Sequence, residues 1–190
     1  MIKREISYNR SEGILETKKA LPILFAVMFF VMVGFGIIIP VLPFYAEELG
    51  ASPTELGLLM AVYSVMQLLF APMWGRLSDR IGRKPIMLIG IFGLSFSVFL
   101  MAFANALWML FAARILGGLL SSANMPTVMA YVADITSEKD RGKGMGIIGA
   151  SVGLGFVFGP AIGGIFSKTS LSMPFVIAGI SSLLTFFFVL

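Results

Sequence analysis

Cysteine and histidine are both absent from these 190 residues. Without a thiol there is no disulfide scaffold, no thiolate zinc site and no cysteine nucleophile. Without an imidazole, the usual general base and the commonest metal ligand are missing, and a proton carrier has to be a carboxylate. Charge is scarce as well: 13% of the residues are Asp, Glu, Lys or Arg, against about 25% in a soluble domain. Hydrophobic residues make up 58% and the mean hydropathy is +0.96, so water is not the solvent for most of this surface. With no paired carboxylates inside an apolar run either, an enzyme is not expected, and neither is a metal or organic cofactor.

What charge there is follows a pattern. The net +4 does not gather on one soluble domain, as nucleic-acid binding requires; the basic residues alternate with apolar stretches. The first 19 residues are polar and charged (Lys3, Arg4, Glu5, Arg10, Glu12, Glu16, Lys18, Lys19). No small-residue cleavage site follows them within signal-peptide range, so 1–19 reads as a cytoplasmic tail and the first apolar stretch as a retained span. About 20 apolar residues cross a bilayer, which predicts six spans near 20–44, 55–75, 85–104, 106–133, 144–166 and 173–190. The expected fold class is an all-α integral membrane bundle of six transmembrane helices surrounded by lipid bilayer.

Short loops rich in Lys and Arg stay in the cytoplasm. The tail carries five, the second-to-third loop four (Arg76, Arg80, Arg83, Lys84) and the fourth-to-fifth loop three (Lys139, Arg141, Lys143), while the opposite side has only Lys168. Both the amino terminus and the Leu190 end are therefore expected in the cytoplasm. The sixth span stops at Phe186-Phe187-Phe188-Val189-Leu190 with no basic flank, which suggests half of a larger assembly.

The loop Gly75-Arg76-Leu77-Ser78-Asp79-Arg80-Ile81-Gly82-Arg83-Lys84-Pro85 packs opposite charges into a tight turn. Gly75 and Gly82 are expected to permit close helix approach, and Asp79, a lone acid among four bases, to hold arginines at the membrane surface. Gly75, Leu77, Asp79, Gly82, Arg83 and Lys84 match the signature loop of the major facilitator superfamily, which this chain resembles. In the fourth span Arg114 lies roughly 12 Å from the outer end at 1.5 Å per residue, and a cation so placed seeks a bundle interior or watery cavity. Gly118, Ser121 and Met125 share its helical face, flanked by Gly117 and Asn124. Arg114 followed by Gly118 is similar to the family's fourth-helix motif, although Gly117 and Leu120 stand where that motif has glutamine and glycine. Asp134, at a helix C-terminus where a carboxylate opposes the macrodipole, maps onto the acid that pairs in the family with Arg83.

The fifth span carries Gly146, Gly155, Gly159-Pro160 and Gly163-Gly164, each position matching the family's antiporter motif. Gly155, Gly159 and Gly163 recur every four residues and form a stripe free of side chains; its expected neighbour is a helix of a partner half, and Pro160 favours a kink. The first span's Gly34-Phe35-Gly36 and Pro40-Val41-Leu42-Pro43 resemble the drug-efflux branch. The resemblance covers nearly the whole chain beyond residue 20. It implies the amino-terminal half of a 12- or 14-helix exporter in the cell membrane, driven by a proton gradient and completed by a second six-helix half or a second copy. A non-transporting six-helix fragment, or an exporter of sugars or other metabolites, is the alternative. The first span has no acidic residue, and Met32, Tyr63, Gln67, Ser121 and Asn124 are the candidate cavity residues for a small amphipathic substrate, on faces that also hold Met28, Phe35, Phe70 and Trp74. Arg114 is expected to face that cavity and to bias a carboxylate across it.

Overall fold

A computed structural model describes the backbone of residues 2–190 and the side chains of residues 20–190. The side chains of the expected tail, 1–19, lie outside the described residues. Seven helices follow one another: α1 (Ile2–Glu48), α2 (Pro53–Ile81), α3 (Arg83–Ala102), α4 (Leu107–Ser121), α5 (Asn124–Ile135), α6 (Arg141–Phe166) and α7 (Met173–Val189). Among the described residues there is no strand. In hydrocarbon every backbone N–H and C=O must be satisfied within the segment, and the helix does this.

Local chemistry sets the helix ends. Gly50, at φ +83°, turns the chain out of α1. Ser52 and Glu55 then form a reciprocal capping box at the start of α2, with Pro53 in its first turn. The fourth span, expected as one helix over 106–133, is divided into α4 and α5 at Ser122–Ala123. Pro126 supplies the reason: it has no N–H, and its ring collides with the carbonyl four residues back, that of Ser122. Pro160, by contrast, sits inside an uninterrupted α6.

Alternate helix ends meet on two faces. On one, Arg83 at the start of α3 reaches Asp134 at the end of α5, and Lys84 Nζ donates to the Leu190 carbonyl beyond α7 (2.6 Å). On the other, the Tyr45 hydroxyl donates to the Ala104 carbonyl between α3 and α4 (2.8 Å), and its ring packs on Phe175 at the start of α7. The core between these faces holds Met28, Ile37 and Leu42 of α1 with Ile91, Leu110, Ile148 and Phe175. Lipid tails are as apolar as leucine, so close packing and interhelical hydrogen bonds hold this core rather than escape from water. Ser95 Oγ to the Gly179 carbonyl (2.9 Å) and Ser97 Oγ to the Ala113 carbonyl (2.8 Å) are two such bonds. α3 is the most enclosed helix, whereas α2 and α6 leave most of their apolar length uncovered.

Candidate gating and coupling site

The expected loop between the second and third spans is almost entirely helical, with Gly82 as the single residue between α2 and α3. Its φ of +101° and ψ of 157° belong to a region open essentially to glycine alone. A Cβ there would meet only Pro85 Cδ at 3.7 Å, and one on Gly75 only Pro126 Cβ at 3.7 Å. Neither glycine is needed for close helix approach, contrary to the expectation; Gly82 is needed for its backbone angle.

This one-residue joint aims Arg83 back across the end of α2. Its guanidinium pairs with Asp79 one turn earlier, donates from Nε to Asp134 Oδ2 of α5 (2.8 Å) and from Nη1 to Ser78 Oγ (2.7 Å). The Ser78 hydroxyl in turn donates a hydrogen bond to the Gly75 carbonyl (2.7 Å). Arg83 is thus the hub of three helices, and the macrodipole cost of Asp134 at the end of α5 is answered by a full positive charge. The pair lies at the surface, with Asp79 and Asp134 side chains 61% and 52% exposed and Arg83 18%. Leu77 is half-buried against the Trp74–Ile86–Ala123 cluster, while Arg76 and Arg80 point outward. Ser78, absent from the sequence expectation, is the buried member of the network.

Arg114 lies elsewhere than expected. It is 2% exposed, sealed in the seam between α4 and α2 instead of open to a cavity. Its Nη2 donates to Met60 Sδ (3.1 Å) and its Cζ lies 4.8 Å from the centroid of the Tyr63 ring. Nε and Nη1 are buried with no hydrogen-bond partner among the described residues. The close approach comes from the small residues beside it: a Cβ on Gly118 would lie 2.7 Å from the Tyr63 carbonyl oxygen, and one on Gly117 would strike Ser97. Tyr63 is fixed in turn by a 2.8 Å hydroxyl contact with Ser121, which donates to the Gly117 carbonyl (2.6 Å).

The other cavity candidates do not converge. Gln67 is exposed on α2, Met32 is half-buried beneath Gly155, and Asn124 is buried against Gly90 of α3 with both amide atoms unpartnered. Asn124 thus meets α3, whereas Arg114, Gly118 and Ser121 meet α2. Trp74, on the same side of α2 as Tyr63, is anchored by Nε1 to the Leu119 carbonyl (2.7 Å) and packs on α4.

The glycine stripe also finds a different neighbour from the one expected. Cβ atoms on Gly155, Gly159 and Gly163 would run into Met32, Gly36 and Ile37, all on α1 of this same bundle. The stripe is an internal seam between α1 and α6, not a contact reserved for a partner half. Gly146 and Gly164 face open space.

Comparison with known proteins places this geometry. The family model described as Major Facilitator Superfamily matches residues 24–190. Tetracycline resistance protein, class B, of Escherichia coli is 42% identical over 160 residues, spanning 83% of this chain and 40% of that protein. Quinolone resistance protein NorA of Staphylococcus aureus is 36% identical over 168 residues, 88% of this chain and 43% of its own length. The crystal structure of the human organic anion transporter MFSD10 (TETRAN) superposes with a TM-score of 0.78 at 26% identity, over 90% of this chain and 47% of that one. A peptide transporter, POT, in complex with sulfate shares the fold with a TM-score of 0.80 at 21% identity, over 88% and 36%. The chain spans about two fifths of the length of the curated relatives it matches.

Proposed function

Because this multi-pass membrane chain belongs to the Major Facilitator Superfamily, we propose that it is the amino-terminal half of an exporter that exchanges small amphipathic drugs for protons. The tetracycline and quinolone resistance proteins it resembles support the direction and the substrate class. A second six-helix half, or a second copy, completes the pathway against the largely uncovered α2 and α6. The two halves rock about a midplane cavity in alternating access. The face that holds Arg83, Arg80 and Lys139 is the cytoplasmic one, by the excess of basic residues there.

The observation that carries this reading is Arg83, tied at once to Asp79 of α2 and Asp134 of α5. An ion pair this exposed contributes only about 0–1 kcal/mol, so the latch opens at small cost and releases the ends of three helices together. The test joins the chain to its second half in proteoliposomes and follows tetracycline movement driven by an imposed pH gradient. Asp79→Asn is expected to abolish driven movement while leaving insertion intact. Wild-type pumping by Asp79→Asn, or pumping by the parent protein that survives collapse of the gradient, would remove this mechanism.

A further inference from the structure

A furrow of about 510 Å³ runs along the outside of the bundle between α1 and α7. Its walls are Ala26 and Phe30 of α1 and, on α7, Ile177, Ile180, Leu184 and Phe188; no charged side chain among the described residues lines it. The α7 residues recur every three or four positions and so share one helix face. Its origin is local. α1 and α7 touch where a Cβ on Gly34 would lie 3.2 Å from Ser182 Oγ and 3.7 Å from the Ala178 carbonyl oxygen, and beside that seam Ala26 offers only a methyl group. Phe30, Ile180, Leu184 and Phe188 are exposed, so the furrow opens away from the core. Two polar residues also reach its wall, Ser181 and Thr185, and the Thr185 hydroxyl donates back to the Ser181 carbonyl within the helix (2.8 Å).

Length and surroundings narrow the occupant. From Ile177 to Phe188 the furrow is about 16 Å long at 1.5 Å per residue, and one leaflet of a 30 Å hydrocarbon core is about 15 Å deep. A helix about 10–12 Å across needs roughly 1,300 Å³ over that length, well above the space present, whereas a slim unbranched chain fits. Drug-sized ligands are held by convergent polar groups, and this wall carries no charge and spends the Thr185 hydroxyl internally.

Charge sets the direction of the occupant. The furrow ends at Phe188, and two residues on the Leu190 carbonyl accepts from the exposed Lys84 Nζ (2.6 Å). An ammonium has three donors, which leaves two for a phosphate. Asp79 and Asp134, acids on the same face, are taken by Arg83. α7 has no basic residue in its own last turn, so Lys84 supplies the positive charge at this end. Lys18 and Lys19 stand about two turns before Ala26 on the same helix.

We propose that the α1–α7 furrow holds one acyl chain of a phospholipid from the leaflet on the Lys84 side, and that Lys84 makes the site prefer an anionic headgroup. The site goes beyond the exporter reading and does not depend on it.

Two probes that differ only in headgroup test it: phosphatidylglycerol and phosphatidylcholine, each with a diazirine in one acyl chain, as minor components of phosphatidylcholine nanodiscs. The discs hold the chain alone or joined to its second half. After irradiation, peptide mapping locates the label and its yield reads occupancy. Label is expected to concentrate on residues 26–30 and 177–188, with phosphatidylglycerol ahead by about fivefold, the factor one cation at a membrane surface supplies. Ala26→Phe fills the furrow and should cut that label at least fivefold while labelling of exposed α2 persists. Lys84→Gln should remove the headgroup preference with tail labelling intact, and Lys84→Arg should keep it. Label spread evenly over α2, α6 and α7, label unmoved by Ala26→Phe, or equal yields from the two wild-type headgroups would overturn the site. So would a preference that survives Lys84→Gln, displacement of the label by tetracycline, or its loss once the second half is joined. If Ala26→Phe fails to fold by circular dichroism, the wild-type label map and the Lys84 variants still decide.

Discussion

Replacing Gly159 with alanine adds one methyl group at the point of the α1–α6 seam where backbone meets backbone. That carbon would lie 2.7 Å from Gly36 Cα, 2.8 Å from Gly36 C and 2.9 Å from the Val33 carbonyl oxygen. Carbon atoms pack at about 3.5–4.0 Å, so the two backbones must part by roughly 1 Å. No side chain can rotate out of the way, because the obstructing atoms are main chain. Parting helices by 0.5–1 Å forfeits about a quarter to a half of each dispersion contact along the seam, and overpacking of this kind costs about 1–3 kcal/mol. Alanine is also the better helix former, by about 0.8–1.0 kcal/mol, and that gain must be subtracted. Gly164→Ala is the matched reference, since it lies in the same helix and a Cβ there meets nothing within 4 Å. The propensity term is common to both variants and cancels in their difference. For a chain of this length 1 kcal/mol shifts the melting temperature by about 2–4 °C, so Gly159→Ala should melt about 2–12 °C below Gly164→Ala. Thermal unfolding in mild detergent, followed by circular dichroism, reads the difference. Equal melting temperatures would show that α6 does not lie on α1 as described and that the stripe faces another surface.

Three further outcomes are expected. Gly82→Ala forces a Cβ into a backbone region reserved for glycine and should lower stability by about 1–3 kcal/mol despite the open space around it; a wild-type melting curve would show that the joint relaxes to negative φ. Arg83→Asp and Asp134→Arg should each stop transport in the completed protein, and the double variant should restore part of it. A swap no better than either single change, with all three inserted normally, would argue against a direct pair. Trp74→Phe removes the indole donor but leaves the Leu119 carbonyl with its bond from Ser122 Oγ (2.8 Å), and should cost about 0.5–1.5 kcal/mol; unchanged thermal stability would mean that water or a neighbour takes the place of Nε1.

Counting the spans put Asp134 on the same membrane face as the basic loop, and the resemblance to the family singled out Arg83 among the four basic residues there as its partner. Ser78 was not legible, since a serine in a charged turn gives no sign that its hydroxyl will be buried beneath a guanidinium. The stripe of Gly155, Gly159 and Gly163 was legible as a contact surface, but a side-chain-free face does not name its neighbour. The complementary surface, Val33, Gly36 and Ile37, is written more than 100 residues earlier, and only the folded bundle joins them. Arg114 shows the same limit. Its cost in a membrane demands enclosure, yet whether a carboxylate, water or a ring supplies it depends on which helix packs alongside.

The sequence by itself determined the solvent, the number and order of apolar segments and which joints carry positive charge. These depend on composition and on spacing along one chain, and a bilayer imposes them through backbone hydrogen bonding and thickness alone. Only the tertiary structure decided that α6 lies on α1 and that Arg114 faces Tyr63 instead of a cavity. Those outcomes follow from contacts between helices remote in sequence, where shape complementarity over a few ångströms selects one neighbour among several of equal polarity.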